Sequence, residues 1–146
     1  MNDDETGGRE HQYNRLVEAA TQARLLAYAP YSKFAMGAAV ETASGHIVTG
    51  TIVENVSLGL TMCAERVALF AAVAHGAGSP TRLAVVSERT AGELTFPCGA
   101  CLQVALELGG PDLEVIASDL DRQRANARVA DLLPAGPHKG RPPGRD

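Results

Sequence analysis

The segment TMCAERVALFAAVAHG, residues 61–76, contains a helix with reactive side chains at its start. Apolar residues recur in it at the three- and four-residue spacing of an α-helix, and Gly76 ends the pattern. Thr61 is the predicted N-cap of this helix. Cys63 therefore lies at the start of the helix, and Glu65 lies about one turn inside it.

A second segment, PCGAC at residues 97–101, opens another predicted helix that continues to about residue 108. Its proline fixes the backbone ahead of the first cysteine. Upstream, an apolar stripe from Tyr13 to Ala27 predicts a helix that Pro30 ends. Four short β-like runs and one last helical turn complete the pattern. They cover residues 35–42, 46–53, 82–87, 113–118 and 128–133.

The predicted order α-β-β-α-β-α-β is typical of one α/β domain, with helices packed on a sheet. We assign this domain to residues 11–134. Residues 1–10 are charged and carry a Gly-Gly pair, which predicts disorder, and the Pro/Gly-rich residues 135–146 predict a flexible tail. Tryptophan is absent while alanine and glycine are abundant, so we expect elements to pack closely through small side chains.

Length, charge and cysteine content narrow the class of protein. The chain of 146 residues has the size of a single domain. Its net charge of −4 disfavours a nucleic-acid-binding surface. It has no apolar run long enough to span a membrane, and its polar, acidic start does not resemble a secretory signal. We therefore expect a cytoplasmic protein, whose three cysteines are reduced and serve metal binding or catalysis.

The cysteines at residues 63, 98 and 101 have the composition of a catalytic zinc site. Three thiolates leave a fourth position of the metal open, whereas a structural site is closed by four ligands. Each thiol lies at a predicted helix start, where the helix dipole favours thiolate over thiol. Glu65 is close enough along the chain to border the same cavity. A carboxylate there can take a proton from an activated water and pass it to a leaving group.

Two simpler interpretations of the cysteines compete with zinc binding. Small buried thiols are common in protein cores. A Cys-x-x-Cys pair such as Cys98 and Cys101 also occurs as a redox centre. Either would be preferred for an isolated pair, but Pro97 and the Cys63-Ala64-Glu65 element favour zinc.

These motifs resemble the small cytidine deaminases that act on free nucleosides, which share a Cys-x-Glu and Pro-Cys-x-x-Cys signature. The resemblance extends from about Tyr13 to Pro134. It implies a three-layer α/β/α fold with a five-stranded mixed sheet, and a homotetramer whose active sites borrow residues from neighbouring subunits. The matching motifs are YAPYSKF at 28–34, VEN at 53–55, GLT at 59–61, CAER at 63–66, PCGAC at 97–101 and QV at 103–104.

The resemblance also implies roles for single residues. Cys63, Cys98 and Cys101 match the zinc ligands, and Glu65 matches the catalytic acid–base. The remaining matches concern the substrate and the charge of the metal site. They are Phe34 as an aromatic wall, Glu54 as the carboxylate that holds a sugar hydroxyl, the Ala64 backbone as the contact to the pyrimidine amide edge, and Arg66 as a hydrogen-bond donor to ligand sulfur.

Four positions depart from the family pattern. Ile52 replaces the asparagine that helps to hold the ribose, and Leu58 replaces a tyrosine. Pro137 lies where a phenylalanine from a neighbouring subunit often covers the substrate. Leu102 replaces an arginine that follows the last ligand, which removes a positive charge near the metal. The zinc ligands and the acid–base residue are kept, so the sequence predicts the same chemistry on an altered substrate. The alternative is neutral drift in an enzyme that still acts on cytidine.

The leading hypothesis is therefore zinc-dependent hydrolysis of a C–NH₂ group in cytidine, deoxycytidine or a modified cytosine nucleoside. Deaminases of the antibiotic blasticidin S share the zinc pattern but lack the Val-Glu-Asn element of residues 53–55, which ranks them second. A non-catalytic zinc protein that binds nucleosides would have no use for Glu65. Acidic charge and short length disfavour a nucleic-acid editing deaminase.

Overall fold

The computed structural model describes residues 3–140, with one helix before the sheet and the others between or after its strands. A single 3-10 turn, Leu58–Leu60, precedes the second helix. The helices are α1 Asp3–Arg24, α2 Ala64–Ala74, α3 Gly99–Gly109 and α4 Val129–Leu132. The strands are β1 Gly37–Thr42, β2 Ile47–Thr51, β3 Pro80–Val86, β4 Glu114–Ser118 and β5 Arg124–Arg128.

The five strands form one mixed sheet in the order β2-β1-β3-β4-β5. The β1–β2 and β4–β5 pairs are antiparallel neighbours along the chain, and β1 also pairs antiparallel with β3. Strands β3 and β4 are parallel, because α3 returns the chain to the same end of the sheet between them. The central strands β1, β3 and β4 are almost wholly buried, which explains their continuous apolar sequences.

Helices cover both faces of the sheet and make three layers. On one face, Leu16, Val17 and Ala20 of α1 pack against alternate residues of β1, β3 and β4. On the other face, α2 and α3 bury Ala68, Leu69 and other side chains against the opposite set of strand residues. The predicted α/β/α architecture with a five-stranded mixed sheet is confirmed.

Two glycines allow helices to lie directly on the strands, as the abundance of small residues predicted. A Cβ atom added to Gly37 of β1 would lie 2.1 Å from the carbonyl oxygen of Ala20 in α1. One added to Gly50 of β2 would lie 2.4 Å from the carbonyl oxygen of Ala64. Gly50 therefore brings the start of α2, where the candidate ligand Cys63 lies, against the sheet.

Helix α1 begins at Asp3, so residues 3–10 are helical where the sequence predicted disorder. Tertiary contacts account for the difference. Arg124 of β5 forms an ion pair with Glu10, and the ring of Tyr13 lies between the guanidinium groups of Arg82 and Arg124 at 5.5 and 5.3 Å. Local composition carries no information on such partners. Residues 1 and 2 of the predicted disordered segment lie outside the described range.

The end of the chain also contains structure that the sequence pattern did not predict. The run RANAR has no apolar periodicity, yet it forms the edge strand β5 through backbone pairing with β4. Pro137 of the predicted flexible tail contacts α3, since the Gln103 side chain donates a hydrogen bond to its carbonyl at 2.8 Å. Residues 141–146 lie outside the described range. No helix within residues 3–140 has the length and apolar character that crossing a membrane requires.

Candidate active site

A short backbone ladder beyond β2 fixes the position of Cys63. Val53 bridges to Tyr28 on one side in parallel and to Met62 on the other side in antiparallel orientation. The Val53 and Met62 peptide groups exchange hydrogen bonds of 3.0 and 2.9 Å. Because Cys63 directly follows Met62, this ladder joins the first candidate ligand to the end of β2.

Two of the three cysteines are themselves helix N-caps. Cys63 precedes α2 and Cys98 precedes α3, both with extended backbone conformations and without a capping hydrogen bond from the side chain. The prediction that Thr61 caps α2 is therefore wrong. Its hydroxyl instead accepts a hydrogen bond from the Asn55 amide at 3.2 Å. Each thiol is therefore not used as a cap, and instead contacts a residue in the first turn of its own helix, Arg66 for Cys63 and Cys101 for Cys98.

The sulfur atoms of Cys63, Cys98 and Cys101 lie within 4.8 Å of one another, and the Cys98 and Cys101 sulfurs are 3.5 Å apart. Zinc–sulfur bonds of about 2.3 Å in a tetrahedron separate two sulfurs by about 3.8 Å, which falls within this range. Cys101 is buried, Cys63 is half-buried and Cys98 is exposed. The cluster is therefore buried at Cys101 and accessible to solvent at Cys98, as a catalytic zinc site requires.

Glu65 lies in the first turn of α2 and is only 1% exposed. Burial raises the pKa of its carboxyl group to about 7. Its Oε2 atom is buried without a hydrogen-bond partner from any residue in the range 3–140. A buried, unpartnered carboxylate oxygen is costly, so its partner must come from what occupies the site. This observation fits a metal centre that holds water and substrate.

Arg66 is the cation that faces the thiols. Its Nη2 atom donates a hydrogen bond to the Cys63 sulfur at 3.5 Å, while its Nε is buried without a partner within the described part of the chain. Hydrogen bonds from the Cys101 thiol and from Arg66 lower the pKa of Cys63 to about 5. The same contact with Cys63 raises the pKa of Arg66. Arg66 therefore stabilises the thiolate form of Cys63.

Replacement of Arg66 by alanine is expected to lower both zinc affinity and kcat/KM by about ten- to hundredfold, the range for a hydrogen bond to a charged group. Three thiolates and one Zn²⁺ carry a net negative charge, and Leu102 supplies no second cation. Zinc affinity is measured by competition with a chelator. Arg15→Ala, an exposed arginine of α1, is the matched control. Unchanged affinity and rate in Arg66→Ala would show that the site does not need this charge.

The substrate contacts implied by the resemblance lie on the segments around this centre. Phe34 is half-buried and packs on the same hydrophobic cluster as Ile52 and Ala64. Ile52 is 7% exposed. Ala64 is the first residue of α2, and the N–H of a first helical residue has no partner inside its own helix. Glu54 follows Ile52 by two residues, so both side chains lie on the same face of the ladder.

The other three departures from the family pattern occupy different environments. Leu102 is 6% exposed and packs within the core, so it fills apolar space in addition to removing a charge. Leu58 lies on the 3-10 turn and is 80% exposed. Pro137 is exposed, and its carbonyl oxygen is held by Gln103 of α3.

An open three-thiolate centre with a buried glutamate beside it, carried by an α/β/α domain, defines the class of zinc-dependent deaminases. The chain belongs to the cytidine deaminase family, since the model of the cytidine and deoxycytidylate deaminase zinc-binding region matches residues 10–117. Cys63, Cys98 and Cys101 are the cysteines of this zinc-binding region.

Similar proteins support this assignment over nearly the whole domain. The cytidine deaminase of Mycobacterium tuberculosis is 45% identical over 122 residues, which cover 84% of this chain and 86% of that protein. The crystal structure of cytidine deaminase from Burkholderia pseudomallei, at 47% identity, has a TM-score of 0.79 and matches 84% of this chain and 97% of its own. The blasticidin-S deaminase of Bacillus cereus is 26% identical over 125 residues, covering 82% of this chain and 87% of that protein. Its lower identity agrees with the second rank that the sequence predicts for such enzymes.

Proposed function

We propose that this protein removes the exocyclic amino group of a cytosine nucleoside by hydrolysis, which releases ammonia and gives the uridine-type product. The observation that carries the proposal is the buried, unpartnered Oε2 atom of Glu65 beside the three thiols. Cys63, Cys98 and Cys101 would hold the zinc, which would supply a Lewis acid for a water molecule. Glu65 would accept a proton at its free oxygen and deliver it to the leaving nitrogen.

Ammonia release from a panel of substrates tests this function. The panel contains cytidine, 2′-deoxycytidine, blasticidin S and a short single-stranded oligonucleotide. Release from either nucleoside supports the proposal, and release from blasticidin S alone favours the antibiotic deaminase. The absence of ammonia from all four would favour a zinc protein that binds nucleosides without catalysis.

The substrate is proposed to differ from ordinary cytidine at the sugar. In the family pattern Phe34 walls the ring, Ala64 contacts the pyrimidine edge and Glu54 holds a sugar hydroxyl. Ile52 shares the ladder face of Glu54 and is almost completely buried, but it offers no hydrogen-bonding group. A sugar hydroxyl that faces it loses about 1–3 kcal/mol if it remains buried and unpaired. A cytosine derivative with a bulkier or less polar substituent therefore fits this pocket better than cytidine.

Replacement of Ile52 by asparagine is expected to raise kcat/KM for cytidine by about tenfold, the middle of the range for regaining one buried hydrogen bond. The matched control is Val53→Asn, which places the same amide on the opposite face of the ladder and should give no gain. Steady-state rates of ammonia release on cytidine provide the measurement. Wild-type turnover of cytidine in the usual enzyme range of about 10⁴–10⁸ M⁻¹s⁻¹ would refute the altered-substrate proposal, and the departures would then represent drift.

A homotetramer is proposed as the active assembly, as the family resemblance implies. The loop between the ladder residues Val53 and Met62 supports it, because Val56, Leu58 and Leu60 are 78%, 80% and 66% exposed. Apolar side chains clustered on one exposed loop are typical of a surface that a partner covers. Sedimentation velocity should give four times the monomer mass, and a stable, active monomer would contradict the assembly.

The three free cysteines support a cytoplasmic location, where thiols stay reduced.

A further inference from the structure

One oxygen of the Glu54 carboxylate is committed to the loop that connects α1 to β1. Its Oε1 atom accepts hydrogen bonds from the backbone amides of Tyr31 and Ser32, at 3.0 and 3.1 Å. The Glu54 amide in turn donates to the Tyr28 carbonyl at 2.8 Å. The carboxylate therefore holds the loop of residues 28–34, in addition to any contact it makes with a nucleoside.

The hydroxyl of Ser32 extends this network to Phe34. Its oxygen accepts a hydrogen bond from the Phe34 amide at 3.0 Å, while the amide of the same serine donates to Glu54 Oε1 at 3.1 Å. The hydrogen bond with Ser32 is the largest of the effects that lower the pKa of Glu54, which keeps this carboxylate ionised.

The backbone at Lys33, between Ser32 and Phe34, is strained. Lys33 has a positive φ of 62°, a left-handed conformation that is unfavourable for a non-glycine residue. Its amide donates to the Ala29 carbonyl at 3.0 Å. This turn brings the Phe34 amide back to the Ser32 hydroxyl. Strained conformations persist where surrounding contacts impose them, and Ser32 and Glu54 supply those contacts here.

We propose that Ser32 is a positioning residue, which binds the Glu54 carboxylate through its amide and the Phe34 backbone through its hydroxyl, so that the sugar-holding and ring-stacking groups are positioned together. Ser32 acts through these two neighbours and does not itself contact substrate. This inference rests on the proposed function, which gives Glu54 and Phe34 their contacts with the nucleoside.

A double-mutant cycle between Ser32→Ala and Glu54→Ala tests the coupling. Ser32→Ala is expected to raise KM for cytidine about tenfold and to change kcat by less than about threefold, because the hydrogen bond that holds the Phe34 amide is lost. Ser32→Thr, which keeps the hydroxyl, should restore KM to within about threefold of wild type. In the Glu54→Ala background, Ser32→Ala should have little further effect, since the loop that carries Ser32 and Phe34 is already released from the carboxylate. Thr49→Ala, an exposed hydroxyl on β2, is the control.

Hydrogen–deuterium exchange of the peptide that covers residues 28–36 tests the same coupling without any turnover. Ser32→Ala and Glu54→Ala should each speed its exchange, non-additively, and Ser32→Thr should not. A wild type that deaminates no nucleoside would refute the proposed function, while the exchange data still decide whether Ser32 couples the loop. Additive effects in both measurements, or an unchanged KM and exchange rate in Ser32→Ala, would overturn the inference.

Discussion

Replacing Glu65 by glutamine is expected to lower kcat by about 10²–10⁴, the usual contribution of a general acid–base, while zinc remains bound. Glutamine keeps the size and shape of the side chain, so a residue that is 1% exposed can be exchanged without a cavity or a clash. The amide cannot accept the proton that Oε2 is placed to take. Because Glu65 contributes no ligand atom to the three-sulfur cluster, the metal content should stay at about one zinc per chain.

Elemental analysis and steady-state kinetics on one preparation separate the two roles that Glu65 could have. Glu107→Gln, an exposed glutamate of α3, is the matched control and should keep both zinc and rate. Loss of zinc from Glu65→Gln would show that the carboxylate is a ligand. Full activity with full zinc would show that another group moves the proton.

The chemistry of the site could be predicted from the sequence because its spacing is local. Cys63 and Glu65 lie two residues apart, and Cys98 and Cys101 lie three apart, so a few positions carry the signature. The sequence does not show that the segments carrying Cys63 and Cys98 lie side by side, because their approach depends on how the sheet is assembled. Gly50 illustrates this, because a glycine in a short strand does not reveal that the Ala64 carbonyl will lie against it.

The errors in the predicted elements have the same physical origin. Thr61 has a better capping side chain than cysteine, so propensity favours it as the N-cap, but the helix begins after Cys63, whose thiol contributes to the three-sulfur cluster. Strand β5 has no apolar alternation, because it is an edge strand with a half-exposed surface. In each case a non-local contact overrides the local preference.

The environments of the predicted substrate-pocket residues could not be predicted from composition or periodicity. Ile52 and Leu58 both depart from the family pattern, but their burial differs. Ile52 is 7% exposed and Leu58 is 80% exposed. Ile52 packs in the core cluster with Met36 and Ala64, whereas Leu58 would need a neighbouring subunit to bury it. Ser32 belongs to a family motif, but the motif does not reveal its role, because the Glu54 carboxylate that its amide binds lies 22 residues away.

Replacing Cys98 or Cys101 by alanine is expected to remove zinc and abolish deamination, because three protein ligands are the minimum of a catalytic zinc site and two remaining thiols bind the metal far more weakly. The two variants differ in what else they disturb. Cys98 is exposed, so its loss leaves packing intact, whereas Cys101 is completely buried and its replacement also leaves a small cavity.

Comparison of these two variants with chelator-treated wild type separates the effect of the metal from that of packing. Cys98→Ala should unfold at the temperature of the metal-free wild type, and Cys101→Ala should unfold lower, by the additional cost of the cavity. Zinc content by elemental analysis should fall from about one per chain to near zero in both variants. A variant that lost its zinc and still released ammonia at the wild-type rate would overturn the assignment of this centre as the catalytic site.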